Sequence, residues 1–414
     1  MPYQPTVNFK LSDGRDLGSL GWITKEYLMT VYPQIAANMI TPELWVWGFN
    51  TQGQLGINVA GATTNRTTPV TTFSGGANWK QVANGNNHAA AIKTDGTLWT
   101  WGYGLYGNLG IDLAGTIVKR CTPVTTSVGG TNWKQVACGN GFTAAIKTDG
   151  TLWTWGDNLV GGLGINDTNM RCTPIVISSG SNNWKQVSCG DSFYTAAVKT
   201  DGTLWTWGNN NSGVLGVNDG GATGRRCTPV QTSAGGTNWK QVSAGNYHMA
   251  AIKTDGTLWI WGSAIHGQLG INAAGVTDMR CTPVTTSVGG TNWKQVDAGY
   301  FHTAAIKTDG TLWTWGRNDF GQLGINDTNM RCTPVTVFGS ATNWKQVACG
   351  REHTTAIKAD GSLWTWGYNK YGQLGINNTT NILTPVTTFA GGTNWKQVSF
   401  GINWSAAIKT SNDL

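Results

Sequence analysis

Four histidines occupy one recurring place in this chain, the end of Gly-x-x-His, at His88, His248, His302 and His353. Histidine is the side chain best suited to moving protons near neutral pH, but that role needs a nucleophile or a carboxylate within reach. The same place in other copies of the motif holds Phe142, Tyr194 and Trp404. A position that exchanges His for bulky aromatics reads as packing, and with no such constellation around it no catalytic residue is assigned. The protein is expected not to be an enzyme.

Cysteines offer the next candidate chemistry. Cys121, Cys172, Cys227, Cys281 and Cys332 precede Thr-Pro, and Cys138, Cys189 and Cys349 precede Gly. No Cys-x-x-Cys and no Cys/His cluster occurs, which argues against a zinc site, and neither a metal nor a cofactor is expected. If the chain turned back as a hairpin about Gly129-Gly130, Cys121 would face Cys138 and a disulfide could form. At the equivalent places Cys227 and Cys281 would meet Ala244 and Ala298, so small buried thiols are the favoured reading.

The elements that carry these residues repeat seven times. Counted at the first Trp of Trp-x-Trp-Gly, the copies begin at Trp45, Trp99, Trp153, Trp205, Trp259, Trp313 and Trp364, 51 to 54 residues apart. Periods of about 40 to 50 residues rich in strand formers indicate propeller blades. One unit contains four strand candidates, 133–138, 143–147, 151–155 and 173–177, and four short antiparallel strands make a blade. Asp149-Gly150 reads as a tight hairpin turn between the second and third, since Gly accepts a positive φ. In Trp-x-Trp the two indoles lie on one face of a strand and are expected to pack between blades. Of 23 Trp, 21 fall at repeat positions, so the tryptophan content belongs mainly to the core.

The last copy supplies only the strands around 395–398 and 406–409, and the first begins midway, at Glu43. Joined, they complete one blade and remove exposed sheet edges. The fold predicted is an all-β, seven-bladed β-propeller of four-stranded blades over 43–414, closed by pairing N- and C-terminal strands, with residues 1–42 as a separate appendage.

Trp-Gly-x-Asn-x-x-Gly-Gln-Leu-Gly at 315–324 and 366–375, with Gly-x-x-His at 299–302, resembles the regulator of chromosome condensation repeat family. The resemblance implies a seven-bladed propeller. Its members include a nucleotide exchange factor, a plant ultraviolet-B photoreceptor, a β-lactamase inhibitor and many adaptors. No blade here carries a long wedge-like insertion of the kind that would match the exchange factor, and the residues between Gly and His hold no Trp that would match the photoreceptor.

Alternate loops of antiparallel strands emerge on one side. The Asp-Gly and Gly-Gly-Thr-Asn turns therefore share a face that is nearly constant between copies. The Gly-x-x-His loops and the loops after Trp-Gly share the other, where the copies differ; from the last Gly of Gly-x-Leu-Gly to the Pro the spacing is 13 in four copies and 10 in three. Tyr103, Tyr106, Asp157, His266, Arg317, Phe320, Arg351, Glu352, Tyr368 and Tyr371 are the candidate partner-binding residues, since aromatic and charged groups dominate binding energy at interfaces.

In the appendage, 24–32 can form a short helix ended by Pro33, offering Tyr27, Leu28, Val31 and Ile35 as a candidate anchor. Asp16-Leu17-Gly18 and Lys25-Glu26-Tyr27-Leu28 make the segment resemble attachment regions of tailed-phage virion proteins. The net charge is +7, but half of the 28 basic residues are repeat-register lysines expected as a ring rather than a stripe, and no nucleic-acid reader motif appears. No run approaches the length of a membrane span. The leading expectation is a non-enzymatic, virion or surface-displayed propeller that holds other virion proteins through residues 1–42 and binds a protein receptor or glycan through the variable face. Alternatives are a cytoplasmic adaptor acting on a GTPase or similar partner, and an enzyme inhibitor.

Overall fold

The predicted unit folds strand for strand. In the computed structural model, whose described residues are 41–73, 76–113, 118–219, 224–275 and 278–410, the four candidates become Trp133–Cys138, Phe142–Lys147, Leu152–Gly156 and Arg171–Val176. Successive strands pair antiparallel and in chain order to make blade 1 (79–125), blade 2 (133–176), blade 3 (184–231), blade 4 (239–285), blade 5 (293–336) and blade 6 (344–387). Blade 7 is the composite the termini predict, ordered Arg66–Thr71, Pro42–Gly48, Trp404–Thr410, Trp395–Phe400. Pro42–Lys409 forms one compact unit. Residues 1–40 of the appendage, including Tyr27, Leu28, Val31 and Ile35, lie outside the described residues, and Pro42 already belongs to blade 7.

Trp-Lys-Gln-Val begins the innermost strand of each blade, and these strands ring a channel of about 240 Å³ lined by small residues such as Ala137, Cys138 and Gly299. An innermost strand is an edge strand, and unpaired edge groups are costly. The repeat solves this with its glutamine. Gln81 Nε2 donates to Val136 O at 3.0 Å while its Oε1 accepts from Val136 N at 3.0 Å, which joins blade 1 to blade 2. Gln135, Gln186, Gln241, Gln295 and Gln397 grip Val187, Val242, Val296, Val347 and Val82 in the same two-bonded way.

The core is likewise interfacial. Each of seven apolar clusters takes its members from two adjacent blades; Ile92 and Leu98 of blade 1, for example, pack with Trp133, Val136 and Trp155 of blade 2. Both indoles of Trp-x-Trp pack against these interfacial clusters as expected, the second fully buried and the first at the margin, but their hydrogen bonds differ. The second indole of Trp-x-Trp does cross: Trp101, Trp155 and Trp261 Nε1 donate to Gln54, Asn108 and Val214 O of the preceding blade at 2.8, 2.9 and 2.7 Å, and the other four behave alike. The first indole takes its hydrogen bond from its own blade. Trp99 Nε1 donates to Thr97 Oγ1, whose hydroxyl donates to Asp95, while the ring lies edge-on to Trp79 beneath Lys93 Nζ. The Asp-Gly turn thus has a second task beyond reversing the chain, because its carboxylate holds the hydroxyl that holds the indole.

The hairpin that would have joined Cys121 to Cys138 does not form. Cys121 lies on the outermost strand of blade 1 and Cys138 on the innermost strand of blade 2. All eight cysteines are free. Cys138 is buried, its Sγ directed at Ala83 O, and burial pushes its thiol pKa up to about 12.

Gln54 O and Val214 O have only the indole as partner, whereas Asn108 O also accepts from Thr143 Oγ1 at 2.9 Å. Trp101→Phe therefore orphans a buried carbonyl and Trp155→Phe does not. Urea denaturation should show the first variant less stable than the second by about 1 kcal/mol or more; equal losses would contradict the latch.

Candidate functional site

Trp-Gly draws the two kinds of variable loop together. The residue after that Gly donates its N–H to the carbonyl just before the His position in every blade, as Arg317 N does to Phe301 O at 2.9 Å and Tyr368 N to Glu352 O at 2.9 Å. The Gly itself is required: Gly316 has φ +106°, and a Cβ there would sit 2.5 Å from Phe301 O. Variable residues from two loops of one blade are thereby placed side by side.

Across blades 4 to 7 they merge into a continuous patch. Tyr247 of blade 4 stacks on Phe301 of blade 5 at 5.3 Å, and Tyr300 meets both edge-on. Arg317 lies over Phe301 with its guanidinium carbon 5.6 Å from the ring centre, and Arg351 of blade 6 lies over Tyr300 at 5.1 Å. His266 packs edge-on against Phe301 at 4.6 Å, and burial together with Arg317 holds its pKa below the usual range. Arg317 bridges blades, pairing with Asp319 at 2.6 Å and with Glu352 of blade 6 at 3.4 Å. Beyond it Phe320, Tyr368, Tyr371 and Phe49 continue the aromatic run into blade 7, with ring centres 4.7, 6.3 and 4.9 Å apart. All these rings are half-buried.

Seven of the ten candidates thus stand together: His266, Arg317, Phe320, Arg351, Glu352, Tyr368 and Tyr371. Tyr103, Tyr106 and Asp157 belong to blades 1 and 2, away from this patch. Tyr106 is exposed, but Asp157 is 5% exposed and its Oδ1 accepts from Leu159 N at 2.9 Å, so its carboxylate serves its own loop. Tyr247, Tyr300 and Phe301 at the patch centre were not among the candidates. They immediately precede His248 and His302, and that adjacency is the signal that could have found them.

At the channel mouth beside the patch, Asp191 of blade 3 and Arg351 are among the lining residues. Burial raises the Asp191 pKa to about 6, partly offset by Arg351. Within the channel Asp297 is also raised to about 6 by burial, while its oxygens accept from Ser243 Oγ and Cys349 N. Among the described residues no group of His, Cys, Asp and Glu could hold a metal ion, and no helix is long and apolar enough to cross a membrane.

The histidines prove to be ties between blades. His88, His248 and His302 Nε2 lie 2.9, 2.7 and 2.9 Å from the hydroxyls of Thr143, Thr303 and Thr354 in the next blade, and His353 lies 3.4 Å from Ser405. Each hydroxyl donates onward to a carbonyl, so the network assigns the proton to Nε2.

The repeat profile described as Regulator of chromosome condensation (RCC1) repeat matches residues 43–92, 95–146 and 149–197, and the RCC1-like domain profile matches 178–414. The chain belongs to the RCC1 repeat family. It is 32% identical over 341 residues to the ultraviolet-B receptor UVR8 of Arabidopsis thaliana, covering 80% of this chain and 75% of that protein. With the E3 ubiquitin-protein ligase HERC2 of Homo sapiens it shares 28% identity over 318 residues, 76% of this chain but 6% of the ligase. The solved structure of Prp20p from Saccharomyces cerevisiae, studied with its binding to Gsp1p and histones, superposes with TM-score 0.77 at 18% identity over 95% of this chain and 96% of that one, which establishes the shared propeller fold.

Burial lowers the pKa of His88, His248, His302 and His353 to about 3. The unfolded chain takes up these protons near pH 6.5 and the folded one does not, so stability falls as pH drops from about 6.5 toward 3. Asp191 and Asp297, protonated more readily when folded, oppose this between about pH 6 and 4, but they are two groups against four. Thermal denaturation followed against pH should show the decline, and His88→Phe, which copies Phe142, should flatten it by about 1.4 kcal/mol per pH unit. An unchanged slope would contradict the assignment.

Proposed function

We propose that the protein is a non-enzymatic regulator or adaptor that binds a protein partner, a small GTPase or a similar protein, through the aromatic and arginine patch of blades 4 to 7. The observation that carries this reading is the set Tyr247, Tyr300, Phe301, Arg317 and Arg351. Two guanidiniums are laid over aromatic rings in a half-buried cluster on the one face where the copies differ. Tyr, Trp and Arg supply most interface hot spots, and stacking preorganises the arginines so that less freedom is lost on binding. Binding rather than catalysis is supported by the histidines being used as ties between blades.

Of the two leading readings of the sequence, the regulator is supported by membership of the RCC1 repeat family and by a receptor among its relatives. The virion reading rests on residues 1–42, of which 1–40 lie outside the described residues.

Cross-linking and mass spectrometry with purified full-length protein in extract from its own cells should recover a partner that Tyr300→Ala/Arg351→Ala loses by a factor of about 30 or more. Tyr103→Ala/Tyr106→Ala should retain it. A partner lost with the second pair and kept with the first would overturn the placement. If that partner is a GTPase, release of a fluorescent guanine nucleotide from it tests the finer reading directly.

A further inference from the structure

Fourteen lysines recur in register, and the fold divides them into two sets. Lys93, Lys147, Lys199, Lys253, Lys307, Lys358 and Lys409 each lie over two indoles of their own blade. Each also has its own counter-charge: Asp95, Asp149, Asp201, Asp255, Asp309 and Asp360 for the first six, and Glu43 for Lys409. Those aspartates hold their charge firmly, because the N–H and hydroxyl of the next Thr or Ser bond the carboxylate.

The other set is Lys80, Lys134, Lys185, Lys240, Lys294, Lys345 and Lys396, second residues of the innermost strands. Trp79 pairs with Lys93 and Gln81 with Ile92, so Lys80 is an extra residue between two paired positions, and the register slips at the same place in all seven strands. Such a bulge re-aims its side chain. All seven are exposed, and among the described residues none makes a hydrogen bond or ion pair. Each precedes the repeat glutamine, so together they stand around the propeller axis at the constant-face ends of the innermost strands, just outside the channel lining.

The indole-bound lysines cancel against the six aspartates and Glu43, the remaining ionised residues of the chain cancel among themselves, and the net +7 equals the seven bulge lysines. Uncompensated like charges held around one axis repel one another, and a ligand that neutralises several at once relieves that repulsion.

We propose that the lysine ring is a binding site for a compact anion bearing several phosphate groups, taken up on the propeller axis. Lysine presents a flexible point charge, suited to a ligand met from several sides. An extended polyanion laid across the face would touch only a few of the seven lysines and would then cross the turn aspartates, one strand or more farther out. Compactness is therefore selected by the rim.

Calorimetric titration of the full chain with inorganic tripolyphosphate, at about 0.1 M salt where distant charges are screened, tests this. One saturable site per chain is expected. Lys80→Gln/Lys240→Gln/Lys345→Gln should weaken binding by roughly tenfold or more, and the same positions changed to Arg should keep it. Arg317→Gln/Arg351→Gln/Lys370→Gln removes the same charge from the other face and should leave affinity within about twofold. Equal losses in both Gln triples would mean attraction by net charge alone and would overturn the proposal, as would the absence of saturation. Tighter binding of a short DNA duplex than of tripolyphosphate under the same conditions would also overturn it. Because these lysines are on the face opposite the partner patch, failure here leaves the partner reading untouched.

Discussion

The wheel depends on how its innermost strands are finished. Each runs beside the channel with one edge unpaired, and all but that of blade 7 receive a glutamine amide from the blade before. A carboxamide offers a donor and an acceptor in one plane, which is what one exposed Val N–H and C=O require. The bond couples neighbouring blades at the point where they come closest, and it lets a ring of separate sheets close without a continuous ladder. Between blades 6 and 7 no such glutamine bond occurs among the described residues. That junction is also where the histidine tie is longest, at 3.4 Å to Ser405, so the ring has a less firmly fastened seam.

Nearest-neighbour dependence explains why the copies are so alike. Only Gly fits in Asp-Gly, because a Cβ at Gly96 would lie 2.0 Å from Thr131 O of the next turn. The last Gly of Gly-x-Leu-Gly leaves room for the next blade's second indole, as Gly110 does for Trp155. In two of the three blades that lack the His the next blade also lacks the hydroxyl, whereas Phe142 is followed by Thr195. His88, His248, His302 and His353 are followed in the next blade by Thr143, Thr303, Thr354 and Ser405. Tyr194 and Trp404 are followed by Met249 and Ala89, and they find carbonyls instead: Tyr194 OH bonds Gly245 and His248 O, and Trp404 Nε1 bonds Asn86 O. The histidine is thus half of a two-residue device whose other half lies more than 50 positions away.

Much of this was legible in the chain. Period, turns and alternation give the seven blades, the closure and the sorting of loops onto two faces, because strands and hairpins are local and repeat. The cross-blade bonds were not legible, since they depend on register between sheets; the first indole of Trp-x-Trp packs against the interfacial cluster as expected, but takes its hydrogen bond and its lysine from its own blade, through Thr97 and Lys93. The candidate patch was half legible. Arg317 and Tyr368 stand out as departures from the repeat, but the patch is defined by Tyr247, Tyr300 and Phe301, which matter only because the Trp-Gly backbone bond brings their loops against Arg317. Composition gave Asp157 the same standing as Arg317, and only the fold shows that its carboxylate is turned into its own loop.

The two faces therefore differ in kind. One is fixed by the blade-to-blade locks and accumulates charge by repetition; the other is free of those locks and has diverged into an aromatic and arginine surface. Both rest on the glutamine bonds that hold the ring closed. Residue-resolved native-state hydrogen exchange tests that claim most directly. The Val82, Val136, Val187, Val242, Val296 and Val347 amides should exchange as slowly as mid-blade amides such as Ala144 and Ala145, with Val398 faster. Exchange of the six at the rate of turn amides such as Gly150 would contradict the account.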